Sequence, residues 1–110
     1  MPAYLYQLSY TPESLAAQIK KPTDRLLTAA KPVAEAAGGK VIGGGFCFGD
    51  YDLAILVDAP DDESMAAVAI AVAAGGSIKA SKTTKLLSGK QWVSALKKSA
   101  KVAAVYKPAK

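Results

Sequence analysis

Histidine is absent from the chain, cysteine and arginine occur once each, and residues 79–110 contain no acidic side chain. Each shortage removes a class of function. With Cys47 as the single cysteine no intramolecular disulfide can form, and without histidine the common zinc, copper and haem sites lack their usual ligands, so neither metal nor cofactor is expected. A reducing cytoplasm is the compartment that fits. The longest apolar run, Met65 to Ala74, is about half of the roughly 20 residues that a bilayer requires, so no membrane contact is expected. Met1 to Tyr10 places no Lys or Arg ahead of its apolar residues and has no long apolar core, which argues against a secretory leader. Cys47 has no histidine to activate it and is expected to be a buried strand cysteine rather than a nucleophile. Phosphate loops fail too: Gly89-Lys90 lacks the following Ser or Thr, and Gly43 to Gly45 does not fit the dinucleotide spacing.

What remains is one domain's worth of chain. At 110 residues, with 51% apolar and 21% charged side chains, it can bury roughly 60 to 70% of its unfolded surface around a single core. Much of the apolar share is alanine, which packs closely but adds little area per residue. The formal charge of +5 is unevenly placed: residues 1–78 carry five basic and nine acidic groups, whereas residues 79–110 carry nine lysines. A net of −4 therefore precedes a net of +9.

Ala3 to Tyr10 sets Tyr4, Tyr6, Leu8 and Tyr10 on one parity and reads as a strand. Thr11-Pro12-Glu13 supplies a cap, a first-turn proline and an acid, predicting a helix to about Ile19. A second start at Thr23-Asp24 leads into Leu26, Leu27, Ala30, Val33, Ala34 and Ala37 at helical spacing, stopped by Gly38-Gly39 and kinked by Pro32. Lys40 to Phe48 reads as a strand whose three successive glycines, Gly43 to Gly45, suggest a bulge or a close approach by other atoms. After the Gly49-Asp50 turn, Leu53, Ile55 and Val57 alternate with Ala54 and Leu56, so this third strand is apolar on both faces and should be central. Asp61, Asp62 and Glu63 open a helix carrying Met65, Val68 and Val72 to Gly75-Gly76. Ser77 to Leu87 reads as a lysine-bearing edge strand, and Ser88 with Gln91 forms a capping box for a last helix bearing Trp92, Val93, Leu96 and Ala100.

The order β, α, β, β, α, β plus a terminal helix is that of an α+β ferredoxin-like fold, an antiparallel four-stranded sheet with helices on one face. Residues 1–87 form this domain and residues 88–110 a lysine-rich helix and tail. A third strand apolar on both parities, together with the tyrosine side of the first strand, leaves the bare face in need of cover. A second copy is the simplest cover, which predicts a homodimer closing an α/β barrel.

Several short segments then occur in a telling order: the N-terminal strand followed by Thr11, Lys21-Pro22 and Arg25, Gly38-Gly39-Lys40, Gly49-Asp50-Tyr51-Asp52, and Ala59-Pro60-Asp61-Asp62-Glu63. From about Pro2 to Leu87 the chain resembles the GYD domain family, a branch of the dimeric α/β barrel proteins. Gly49, Tyr51 and Asp52 correspond to the residues of the family's name. The resemblance implies the ferredoxin-like fold and a homodimer. Related barrel enzymes act without a cofactor on small aromatic or polyketide substrates, or degrade haem, and the lack of histidine speaks against the haem version.

The candidate ligand-binding residues are Tyr4, Tyr6, Phe46, Phe48, Tyr51 and Asp52. Aromatic side chains beside side-chain-less glycines can line a cavity between two sheets, and a carboxylate beside a phenol can polarise a ligand. The plainer alternatives are an aromatic interface core and, for Asp52, turn chemistry. The leading expectation is a homodimer that binds a small apolar or aromatic molecule, with catalytic residues unassigned. A cofactor-independent enzyme would use Tyr6, Tyr51 and Asp52, whereas an assembly protein would dock its last helix through Trp92 and Leu96. Nucleic acid is the least favoured partner, because no arginine accompanies the lysines and no RNA-recognition signature appears.

Overall fold

The computed structural model describes residues 1–109. Strand β1 (Ala3–Tyr10) leads to helix α1 (Pro12–Lys20), capped by the Thr11 hydroxyl, which accepts from the Ser14 N–H at 3.1 Å. The second helical stretch begins as a π-helical turn over Leu26–Ala30 and continues as α2 (Lys31–Ala36). Strands β2 (Lys40–Phe46) and β3 (Leu53–Asp58), helix α3 (Asp62–Ala74), strand β4 (Ile78–Leu86) and helix α4 (Gly89–Val105) complete the order. The four strands form one antiparallel sheet in the order β2-β3-β1-β4. This is the expected ferredoxin-like arrangement, with β3 central and β4 at an edge.

The expected disturbance at Pro32 takes a definite form. Proline cannot donate to the helical ladder, and the turn just ahead of it widens so that the Lys31 N–H bonds to the Leu26 carbonyl, five residues back. The extra residue in that turn shifts the apolar face. Leu26 packs against the core, while Leu27, inward by a uniform helical count, is 55% exposed. In β2 both glycine expectations are met. The register slips at Ile42, between Val41 and Gly43, and Gly44 adopts φ +96°, with its Cα so close to β3 that an added Cβ would sit 2.2 Å from the Ala54 carbonyl oxygen.

Two expectations are corrected. Tyr4, Tyr6, Leu8 and Tyr10 do not contribute to the bare face; they are buried on the helix side with Leu53, Ile55, Val57, Ala34, Met65 and Val68. Alternation separates the two sides of a strand but does not say which side the helices cover, and helices as alanine-rich as α2 and α3 need large sheet residues to fill the layer between. Cys47 is exposed rather than buried, because edge strand β2 ends at Phe46 and the following residues turn away into the loop.

The outer face is mixed. Leu5, Ala54 and Leu56 form a half-buried apolar centre, flanked in register by Gly43, Gln7, Lys82, Thr84 and the Lys40–Asp58 pair. Neither α1 nor α4 makes more than marginal contact with any other element. Helix α4 carries the chain outward: the radius of gyration is 17.5 Å, against about 13 Å for a compact domain of this length.

Candidate functional site

Beneath α2 and α3 lies a cavity of about 240 Å³. Its floor is the helix side of the sheet, Tyr6, Leu8 and Tyr10 of β1 with Leu53, Ile55 and Val57 of β3, and its roof includes Ala30, Val33, Ala34, Val68, Ala71 and Val72. The space follows from the composition. Tall phenols and branched aliphatics on the sheet hold the helices off, and the alanine methyls above them are too short to close the gap. Arg25, Gly75 and Ser77 stand at its rim. The volume exceeds the roughly 150 Å³ that holds a benzene ring in an engineered apolar cavity and falls below the usual 300 Å³ of drug-sized sites.

Tyr6 lines this cavity, and its buried hydroxyl has no hydrogen-bond partner, the one such side-chain atom among the described residues. Burial pushes the Tyr6 phenol above its ordinary pKa, and the nearby Ser81 hydroxyl, outside bonding geometry, offsets this only in part. An unpartnered buried donor costs about 1–3 kcal/mol.

A second polar cluster sits at the start of α3. The Tyr4 hydroxyl donates to Asp62 Oδ1 at 2.6 Å, and Lys85 Nζ lies 2.8 Å from the same oxygen. The hydrogen bond to Asp62, helped by burial, pushes Tyr4 up to about 12, while Lys85 and then Tyr4 hold the Asp62 carboxyl below the usual range. Asp61 caps the helix by accepting from the Ser64 N–H at 2.8 Å. The cluster joins β1, β4 and α3; its partners are satisfied by one another.

A family model for the GYD domain matches residues 4–96, from the first strand into the first half of α4. The chain belongs to the GYD domain family. No curated protein matches it. In this GYD domain Asp52 is tied into the backbone on three sides. Asp52 Oδ2 accepts from the Tyr10 N–H at 2.9 Å, the Asp52 N–H donates to the Leu8 carbonyl at 2.8 Å, and the Asp52 carbonyl accepts from Cys47 N–H at 2.8 Å. These bonds pin the β2–β3 loop to the end of β1, as the turn interpretation of Asp52 requires. The Tyr51 carbonyl faces Cys47 Sγ at 3.2 Å.

The GYD domain therefore scatters the six candidates. Tyr6 alone lines the cavity; Tyr4 is committed to Asp62, Tyr51 and Asp52 belong to the loop, and Phe46 and Phe48 are 51% and 97% exposed at the far end of β2. Tyr10, Arg25 and the alanines of the roof were missed. Two signals for them exist in the sequence: Tyr10 shares the parity of Tyr6, and Arg25 is the only arginine in a lysine-rich chain.

Proposed function

We propose that this GYD domain binds a small, largely apolar molecule in the cavity between its sheet and helices α2 and α3. The supporting observation is a 240 Å³ space whose floor and roof are apolar side chains and whose lining includes a single charged group, Arg25. Close-packed cores do not leave such a space without cost, and a ligand that fills it restores the missing contacts. Small aromatic probes, benzyl alcohol and indole, added to the 15N-labelled chain should move amide resonances around Ala34, Val68 and Ile78 and leave those of α4 unchanged. Ala34→Leu places three more carbons in the cavity, so it should raise stability by up to about 2 kcal/mol and abolish the response. Perturbations that spread over α4, or that persist in Ala34→Leu, would remove this site.

The domain acts, in this proposal, as a homodimer joined through the outer sheet face. Four strands about 4.8 Å apart and six residues long offer roughly 400 Å² per protomer, so two faces alone stay near the 800 Å² typical of lattice contacts. Helix α4 supplies the remainder. Trp92, Val93, Leu96 and Val102 lie on one side of it, Lys90, Lys97, Lys98 and Lys101 on the other, and Trp92 and Leu96 are 58% and 54% exposed. About 25 Å of apolar helix laid across the second copy brings the interface above the 1,000 Å² that stable association needs. Light scattering coupled to size exclusion at micromolar concentration should report twice the 11.3 kDa chain mass; a monomer would end this part of the proposal.

A further inference from the structure

We infer that the molecule taken up by the cavity is a small monocarboxylate with a compact apolar body, held by Arg25 at the rim. This inference rests on the cavity being a ligand site. Arg25, the chain's only arginine, lines the cavity and is half-buried, yet the single ion pair among the described residues is Lys85–Asp62, so its guanidinium pairs with no anion among them. No acidic side chain lines the cavity. The polar side chains that do are Arg25, Tyr6, Tyr10 and Ser77, of which Arg25 alone is charged and can only donate. An apolar cavity with one fixed positive charge and no negative one selects a ligand with a single negative charge.

Size and charge count then choose the class. A guanidinium offers two parallel N–H groups whose spacing matches the two oxygens of one carboxylate. A phosphate would bring close to two charges against one cation and would bury them over an apolar floor of leucine, isoleucine and valine, which its hydration opposes. The remaining volume, about 240 Å³ before the carboxylate is seated, suits a ring or a short branched chain rather than a long acyl tail.

Benzoate and benzamide are the paired probes, since they share shape and differ in charge. Titrated by NMR into the full chain, benzoate should bind at least about tenfold more tightly than benzamide, and its advantage should shrink as salt is raised. Arg25→Gln should cost benzoate about 10- to 100-fold and leave benzamide unchanged, whereas Arg25→Lys should keep part of the preference. Arg25 is half-exposed at the start of a helix, so the variants should fold, which circular dichroism checks. Equal affinity for the two probes, or an Arg25→Gln variant that binds benzoate normally, would overturn the carboxylate assignment and leave the cavity standing. Failure of benzoate, benzamide, benzyl alcohol and indole alike would overturn both.

Discussion

The run Gly43-Gly44-Gly45 offers a test in which neighbouring, chemically identical substitutions must behave differently. Gly44 has φ +96°, and a Cβ there would lie 2.2 Å from the Ala54 oxygen and 2.6 Å from the Ile55 Cα, backbone atoms that cannot swing aside. Left-handed geometry alone costs a non-glycine residue about 1–2 kcal/mol. Relieving the clash means moving β2 off β3, which endangers the Gly44–Ile55, Gly45–Ala54 and Phe46–Leu53 pairings at roughly 1 kcal/mol per lost hydrogen bond. Gly44→Ala should therefore destabilise the domain by about 3–5 kcal/mol, a large part of the 5–15 kcal/mol that domains possess. At Gly45 a Cβ meets nothing within 4 Å, and at Gly43 it makes ordinary contact with Leu56 Cδ1 at 3.6 Å. Those two alanine variants should be neutral or gain about 0.4–1 kcal/mol through a less flexible unfolded chain. Urea melts followed by far-ultraviolet circular dichroism would rank the three. Similar losses at all three positions, or a tolerated Gly44→Ala, would refute the close approach of β2 to β3.

Three further outcomes follow from other parts of the molecule. Tyr4 should titrate near pH 12 by the 13C shift of its Cζ, and Asp62→Asn should bring it back toward 10; because the folded pKa is raised, the stability this bond confers is full below pH 10 and fades as pH climbs through 12. Asp62, held low, works on the opposite flank, its contribution being present above the ordinary carboxylate range and lost as pH falls through its folded pKa, so Asp62→Asn should also flatten the acid limb of a stability profile. Trp92→Ser with Leu96→Ser should shift the light-scattering mass toward a monomer without changing the melting of the sheet, since neither side chain contributes to its own domain's core; a dimer of undiminished affinity would exclude α4 from the interface.

Local chemistry in the sequence carried over into structure where its range was short. Thr11, Asp61 and the Ser88–Gln91 pair cap the helices they were expected to open, because each bond spans three residues and needs no tertiary partner. The period-two pattern likewise located β1 and β3. What the pattern lacks is the identity of the covered side, and this is why the phenols of Tyr4, Tyr6 and Tyr10 were expected at a bare face and stand instead under α2 and α3. Leu27 was misplaced by a single extra residue in a π-helical turn, a distortion that Pro32 signals but does not locate. The cavity was harder still. It is made by what Ala30, Ala34 and Ala71 fail to fill, and an alanine in a helix looks the same whether its neighbour approaches or stands off.

A space of this size persists only if the roof cannot sink, and the polar contacts at the ends of α3 explain why it does not. At its first turn Asp61 caps the helix while Asp62 ties it to Tyr4 on β1 and Lys85 on β4. Past its far end, the Thr11 N–H donates to the Ser77 carbonyl at 3.0 Å and fixes the return into β4. Between these anchors Met65 and Val68 reach the sheet, and past Val68 the residues Ala71 and Val72 line the cavity. The helix is thus supported near its start and tethered just past its end, like a lintel, with the cavity lined by its last two turns together with Arg25 and Ser77. Rigid ends around an underfilled span are the arrangement that keeps a small apolar space open, at the cost of the packing contacts that a collapsed roof would gain.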